Sequence, residues 1–235
     1  MNDSYKILKD LFDKYELEEY ERKEIFDIIK NIFVHEEFQK RFSKEFMHHG
    51  SISLSEHILE DTILTYILVK NSKKIINLEY ALKISMMHDL YTLPWQNMHI
   101  KKSSFFYKHG FSHPLEAVIN SISWFPEEFD DEIKSKILID GILHHMYPLP
   151  VLSFNYNGKE LELHNYKLLK NISKKHKEMI YESTNRYKMG KISLSRSKYL
   201  EGRIMSRSDK LSCFKELGCI EDALALVTGV NKTLY

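Results

Sequence analysis

Glycine and proline, the residues that most often end or kink helices, are scarce in this chain, at 8 and 5 of 235 residues. The stretches between them are long and repeat apolar residues at helical spacing, as Leu8, Leu11, Phe12 and Tyr15 do. We therefore expect an all-α protein. Residues 1–47 predict an N-terminal helical appendage, and residues 48–235 predict one compact domain against which it packs.

The first helix of that domain is predicted over residues 53 to about 70. Ser53 and Glu56 have the spacing of a capping box, which puts His57 in or just after the first turn. Residues 91–112 show little periodicity and predict a long loop, which in a compact domain often lines a functional site. His113-Pro114 is typical of a helix start. Further helices are expected at about 76–89, 130–145, 164–189, 195–217 and 220–228.

One segment predicts β structure. Asn157-Gly158 separates two short alternating stretches, and Asn-Gly in that setting favours a two-residue hairpin turn. The sequence therefore predicts a small β-hairpin at about residues 152–163, inserted in a helical domain.

Charge and composition exclude several classes of protein. The formal net charge is +1 and the hydrophobic content is 43%, which is ordinary for a globular domain and indicates no dedicated nucleic-acid surface. No apolar run is long enough to span a membrane, and the first residues lack the apolar stretch of a signal peptide. The two cysteines, Cys213 and Cys219, are expected to be reduced thiols. We therefore expect a cytoplasmic protein without a membrane partner.

Histidine and aspartate recur in a fixed order that points to chemistry. A single His-Asp pair would carry little information, because both residues are common here; the ordered set carries the prediction. Imidazole nitrogens and carboxylate oxygens together suit borderline divalent metals. The ordered residues are His57, the pair His88-Asp89, His113, His145 and Asp209.

This order resembles the H…HD…H…H…D pattern of the HD-domain metal-dependent phosphohydrolase superfamily. The resemblance covers about residues 46–215 and points to a bacterial group of HD hydrolases with a dinuclear metal site. The stretches that carry it are Met47-His48-His49-Gly50, Ser55-Glu56-His57, Met87-His88-Asp89-Leu90-Tyr91, His109-Gly110-Phe111-Ser112-His113-Pro114 and His145-Met146-Tyr147-Pro148.

The resemblance implies an HD-type helical bundle and a set of metal ligands. His57, His88, Asp89 and Asp209 would form the minimal site, with Asp222 as the fallback for Asp209. His113 and His145 would add a second ion, with Asp89 bridging the two. Met146-Tyr147-Pro148 favours His145 over its neighbour His144 as the ligand. The expected cofactors are two divalent transition metals (Fe, Mn, Ni or Co, with Zn or Mg as further options).

The same resemblance implies catalytic roles. Asp89 would help the metals activate a bridging hydroxide that attacks phosphorus. His109 or His144 would protonate the leaving group, and Lys210 would pair with a phosphate oxygen or orient Asp209. His48 and His49 are second-rank candidates at the border of the cleft.

The expected substrate is a nucleotide or a related small phosphoester. The His-Asp pair is followed by Leu-Tyr-Thr and not by the Glu-Asp of alarmone hydrolases, and the Gly-Tyr-Pro of cyclic di-guanylate phosphodiesterases is absent. Two alternatives stay open at this point: an HD-fold di-iron oxygenase, and a non-catalytic binding module that keeps the metal site. The helical appendage is compatible with a homodimer.

Overall fold

The computed structural model describes residues 3–48, 51–92, 109–149, 151–156, 159–160, 187–193 and 196–219. These residues are mainly helical, which confirms the predicted helical class. The chain divides into two compact units, Met1–Met86 with Ile204–Tyr235, and Met87–Arg203. The boundary predicted between residues 47 and 48 stays a prediction. Of the helices so described, none combines the length and apolar character needed to cross a membrane.

Eight α-helices and three short strands lie in the described residues. The helices are α1 (Asp3–Lys14), α2 (Glu19–Phe33), α3 (Glu36–Lys40), α4 (Leu54–Lys70), α5 (Leu78–Met87), α6 (His109–Trp124), α7 (Glu132–Leu143) and α8 (Leu200–Glu216). A 3₁₀ helix spans Pro126–Phe129. The strands are β1 (Val151–Tyr156), β2 (Lys159–Glu160) and β3 (Tyr187–Ser193).

Helix α4 is the most deeply buried element of the first unit. Its start is set as predicted, because the Ser53 hydroxyl accepts a hydrogen bond from the Glu56 amide at 3.3 Å. Almost every side chain from Leu54 to Leu68 is buried, including those of several polar residues. A buried polar group is costly unless it is paired. The helices that pack against α4 must therefore supply hydrogen-bond or ion-pair partners for its buried polar side chains.

The N-terminal helices bury the apolar faces predicted from their periodicity. Leu8, Leu11 and Phe12 of α1 are buried, and α1 lies against α4. In α2, the buried face contains Ile25 and Ile29. The apolar stripe of α1 thus anchors that helix on α4, as expected for an amphipathic helix.

The second unit is organised around α6 and α7, which contact each other. Asp131 caps α7 by accepting a hydrogen bond from the Lys134 amide at 2.7 Å. Helix α6 begins at His109, four residues before the start predicted at His113. Pro114 therefore lies in the second turn of α6, where its missing N–H removes one backbone hydrogen bond.

The three strands form an antiparallel sheet in the order β2-β1-β3. Strands β1 and β2 pair at Asn155 with Glu160 and at Tyr156 with Lys159, within the segment for which the sequence predicts a hairpin. Strand β3 contradicts the last residues of the helix predicted over 164–189, because its backbone pairs with β1. The rest of that predicted helix, and the one at 220–228, lie outside the described residues.

Candidate metal centres

The first unit brings metal-binding side chains of α4 and α8 together. His57 and Asp61 are four residues apart on α4, and Asp209, Cys213 and Glu216 follow at intervals of four and three on α8. A helix has about 3.6 residues per turn, so each set lies along one face. We call these five residues together with His48 the α4–α8 cluster.

Two carboxylates of this cluster face one imidazole nitrogen. His57 Nε2 lies 3.2 Å from Asp61 Oδ2 and 3.7 Å from Asp209 Oδ1. All three side chains are buried, and one ligand atom of each lies within 4.8 Å of the others. The Ser212 hydroxyl donates a hydrogen bond to Asp61 Oδ1 and so fixes the orientation of that carboxylate.

Glu216 holds two histidine rings side by side. His57 Nδ1 donates a hydrogen bond to Glu216 Oε1 at 2.7 Å, and His48 Nδ1 donates one to Glu216 Oε2 at 2.8 Å. The two rings are stacked, with centroids 3.7 Å apart and planes 18° from parallel. Since each ring donates through Nδ1, Nε2 is the nitrogen that could bind a metal.

The charges of the α4–α8 cluster favour a cation. Burial acts against the charged form of Glu216, but its hydrogen bonds with His48 and His57 outweigh burial and lower its pKa to about 2. Burial likewise opposes a charged His57, but Asp61 and the hydrogen bonds of Asp209 and Glu216 hold the pKa of this imidazole well above its usual range. Burial and the neighbouring Asp209 and Glu216 carboxylates also raise the pKa of Asp61 well above its usual range. Both shifts favour protons held on Asp61 and His57, and a metal ion bound by these groups would displace those protons.

The second unit holds ligands of its own. Asp89 follows the end of α5, His113 lies on α6, and His145 follows the last turn of α7. With His88, these residues form what we call the α6–α7 cluster. His88 is buried, its ring lies edge-on to that of His145 at 5.0 Å between centroids, and its Nε2 is 3.7 Å from Asp89 Oδ2.

Three donor atoms of this cluster form a compact triangle. Asp89 Oδ1 lies 3.2 Å from His113 Nε2 and 3.4 Å from His145 Nε2, and the two nitrogens are 2.9 Å apart. Ligands about 2.1 Å from one ion are separated by about 3.0 Å in octahedral and about 3.4 Å in tetrahedral geometry. The triangle therefore has the size of one face of a metal coordination shell.

Neighbouring groups orient the His145 ring and keep the Asp89 carboxylate of the triangle charged. His145 Nδ1 donates a hydrogen bond to the Ile142 carbonyl at 2.7 Å, which leaves its Nε2 lone pair facing Asp89. Burial opposes ionisation of Asp89, but His88, His113 and His145 outweigh burial and hold its pKa well below the usual range. The aspartate is thus a charged oxygen donor among imidazoles, a donor set that fits a divalent transition metal.

Several residues predicted for the site lie apart from these ligand groups. His144 caps α7, where its Nδ1 donates to the Asp140 carbonyl at 2.8 Å. Lys210 donates to the carbonyl of Ser206 at 2.8 Å and to its hydroxyl at 2.6 Å. The backbone of His109 begins α6, and its side chain lies outside the described residues, as do His49 and Asp222.

Three residues of the α4–α8 cluster are absent from the sequence prediction: Asp61, Cys213 and Glu216. Each lies one or two helical turns from a predicted ligand, Asp61 from His57 and the other two from Asp209. Acidic residues at such spacing are usually solvent-exposed, so the periodicity alone does not separate them from surface residues. Their placement four or seven residues after a predicted ligand is the signal that could have found them.

Comparison with known proteins does not assign this chain to a family. No protein-family model, curated protein or solved structure gives a significant match to this chain. Membership of the HD-domain superfamily therefore stays a prediction from the sequence motifs, and the function rests on the chemistry of the two clusters.

Proposed function

We propose that this protein is a metal-dependent phosphohydrolase or phosphodiesterase that hydrolyses a nucleotide or a related small phosphoester. The observation that carries the proposal is the buried triangle of Asp89, His113 and His145, with donor atoms 2.9 to 3.4 Å apart. The HD-type bundle, the bridging role of Asp89, a cytoplasmic location and a homodimer belong to the same proposal as predictions from the sequence.

The two clusters suit one divalent cation each. Bound there, such ions would lower the pKa of a water molecule to give a nucleophile near neutral pH and would neutralise charge on the phosphoryl oxygens. The protein's own part is to keep the Asp89 and Glu216 carboxylates charged and to orient the imidazoles. The Ile142 carbonyl does this for His145, and Glu216 does it for His57.

Residues outside the two clusters take the remaining roles in this proposal. Lys210 is held on Ser206, and burial lowers its pKa. We propose that a substrate phosphate draws the ammonium group away from Ser206, since a charge-assisted hydrogen bond is stronger than a neutral one. His109 remains our proposal for the group that protonates the leaving oxygen, with His144 as the alternative.

The hairpin predicted over residues 152–163 is proposed to border the substrate. Strand β1 contacts α6, the helix that carries His113. Replacing 152–163 by a short Gly-Ser linker should change the relative kcat/KM for different phosphoesters more than it changes the free energy of unfolding. Unchanged relative kcat/KM values would show that the segment takes no part in substrate selection.

The decisive experiment combines metal analysis with an assay for hydrolysis. Protein purified without chelators or nickel resin is analysed for its metals and tested with Mn²⁺ on a panel of nucleotides and model diesters. We expect Asp89→Asn to lower hydrolysis at least about 100-fold, since loss of an outer-shell partner alone costs about 10- to 100-fold. The exposed Asp130→Asn, in the same unit, serves as the matched control.

Each outcome has a clear meaning. Bound metal with hydrolysis that Asp89→Asn removes supports the proposal. Iron with oxygen-dependent turnover and without hydrolysis would replace it by the di-iron oxygenase. Full hydrolysis by Asp89→Asn, or hydrolysis that survives complete removal of metal, would refute the role of the triangle.

A further inference from the structure

Two side chains outside the predicted ligand set face His57: the imidazole of His48 and the thiol of Cys213. We propose that His48 and Cys213 join His57 and Asp209 as ligands of one metal ion, which makes the α4–α8 cluster a site for a thiophilic divalent cation such as Zn²⁺ or Co²⁺. The inference deepens the proposed function, because it concerns the metal of the same site. It depends on metal binding but not on phosphoester hydrolysis.

Three of the proposed donors form one group, and the fourth, Asp209, lies close to two of them. His48, His57 and Cys213 each offer a ligand atom within 4.8 Å of the others. Asp209 Oδ1 lies 3.5 Å from Cys213 Sγ and 3.7 Å from His57 Nε2. Zinc with nitrogen or oxygen at about 2.0 Å and sulfur at about 2.3 Å separates its tetrahedral ligands by about 3.3 to 3.5 Å. The two distances from Asp209 are therefore close to those between ligands of one zinc ion.

Glu216 prepares both histidines for this role. Its two oxygens accept the Nδ1–H groups of His48 and His57, and the rings lie almost parallel. Because Nδ1 of each ring is bound to the carboxylate, Nε2 is the nitrogen of each ring that is left to bind a metal. A carboxylate behind a histidine fixes its tautomer and raises its basicity as a metal ligand. Glu216 does this for two rings at once.

Cys213 supplies the sulfur that sets the choice of metal. It lies one helical turn after Asp209, so the thiol and the carboxylate project from the same face of α8. Thiolate ligands favour Zn²⁺ and Co²⁺ over hard cations such as Mg²⁺. The second cysteine of the chain, Cys219, is exposed and belongs to none of the ligand groups in the described residues. It is a matched control thiol six residues away.

The test uses the full chain after chelator treatment, reloaded with Co²⁺ or Zn²⁺. Thiolate bound to Co²⁺ gives a charge-transfer absorption in the near ultraviolet, which oxygen and nitrogen ligands do not give. We expect this absorption in the native chain and in Cys219→Ser, and its loss in Cys213→Ser. In competition with a chromophoric chelator, His48→Gln should weaken Zn²⁺ binding at least about 10-fold.

A second readout needs no variant and so does not depend on a variant's folding. Zn²⁺ should slow alkylation of Cys213 by iodoacetamide at least about 10-fold, since the bound thiolate is withdrawn from reaction, and should leave Cys219 unaffected. Mass spectrometry of the peptides assigns each site. Equal alkylation of Cys213 with and without Zn²⁺, together with the absence of the charge-transfer absorption, would overturn the proposal.

The failure of this inference is distinguishable from the failure of the proposed function. The charge-transfer absorption without any phosphoester hydrolysis would support the thiolate site and refute the proposed phosphohydrolase activity. Metal-dependent hydrolysis by a protein whose Cys213 is alkylated equally with and without metal would support the phosphohydrolase activity and refute Cys213 as a metal ligand.

Discussion

Glu60 accepts hydrogen bonds from two lysines, more charged partners than the other buried acid of α4, Asp61, has. Replacing Glu60 tests how much these contacts stabilise the packing of α1 and α8 on α4. Its carboxylate is only 3% exposed and accepts hydrogen bonds from the Lys14 ammonium at 2.6 Å, the Lys215 ammonium and the Tyr15 hydroxyl. The carboxylate thus ties α1 and α8 to α4. Glu60→Gln keeps the size of the side chain and removes its charge.

The expected loss of stability in Glu60→Gln follows from the solvent exposure of the two lysines that pair with Glu60. Lys14 is 44% exposed and can return to water, so its pair contributes at most about 1 kcal/mol. Lys215 is 23% exposed, and a hydrogen bond between charged groups of this kind contributes about 1.5 to 3 kcal/mol. We therefore expect Glu60→Gln to lower the free energy of unfolding by about 3 kcal/mol, near the lower end of the range for a broken buried ion pair.

Urea unfolding of the metal-free protein, followed by far-ultraviolet circular dichroism, measures this loss. The control is Glu56→Gln, one turn earlier on α4. Glu56 is half-buried, and because burial raises the pKa of its carboxyl, loss of its charge should change stability by no more than about 0.5 kcal/mol. A loss below about 1 kcal/mol for Glu60→Gln, or one equal to the control, would refute the reasoning.

The same carboxylate predicts a dependence on pH. Burial opposes the charge of Glu60, but hydrogen bonds from Lys14, Lys215 and Tyr15 outweigh burial and lower its pKa. A carboxyl with a lowered folded-state pKa stabilises the protein above its unfolded-state pKa, and this stabilisation is lost as the pH falls through the folded-state value. The difference between the native chain and Glu60→Gln should therefore shrink in acid.

Two further substitutions test the second unit. His145→Ala should lose more bound metal than His144→Ala in elemental analysis, because only the first ring faces Asp89 and His113 at ligand distance; the reverse order would exclude His145 as the ligand. Gly202→Ala should lower the free energy of unfolding by about 1 to 3 kcal/mol, since its Cβ would meet Ser197 Oγ at 2.5 Å and Gly141 Cα at 2.6 Å. Unchanged stability in thermal denaturation would contradict this prediction and mean that the surrounding backbone moves to accommodate the added methyl group.

Local signals in the sequence predicted the helices well where one residue decides the boundary. Ser53, the predicted cap of α4, accepts a hydrogen bond from the Glu56 amide, a contact that depends only on neighbours in the chain. The helix predicted over about 130–145 is α7, Glu132–Leu143, although its cap Asp131 was not predicted. The start of α6 was wrong because Pro114 also fits the second turn of a helix, at the cost of one hydrogen bond. Strand Tyr187–Ser193 was missed because its pairing with β1 is a long-range contact.

Prediction of the candidate metal centres met the same limit. The order of histidines and aspartates singled out His57, Asp89, His113, His145 and Asp209, which the structure divides between the two clusters. The sequence could not show that α8 presents a carboxylate to the back of two imidazoles, because that contact joins residues 159 and 168 positions apart. Ligands can be proposed from residue type and order, whereas the groups that orient them depend on how helices pack.

The placement of five cluster members on two helices, with His48 shortly before α4, has a consequence for finding related chains. Because those five recur at helical intervals, the cluster can be written as a spaced pattern, H-x8-H-x3-D followed far downstream by D-x3-C-x2-E. A single inserted residue between Asp209 and Glu216 would turn Glu216 about 100° around α8 and separate it from His48 and His57. A search for this pattern with its spacing held fixed, and without regard to overall similarity, would reveal whether other genomes carry the same arrangement.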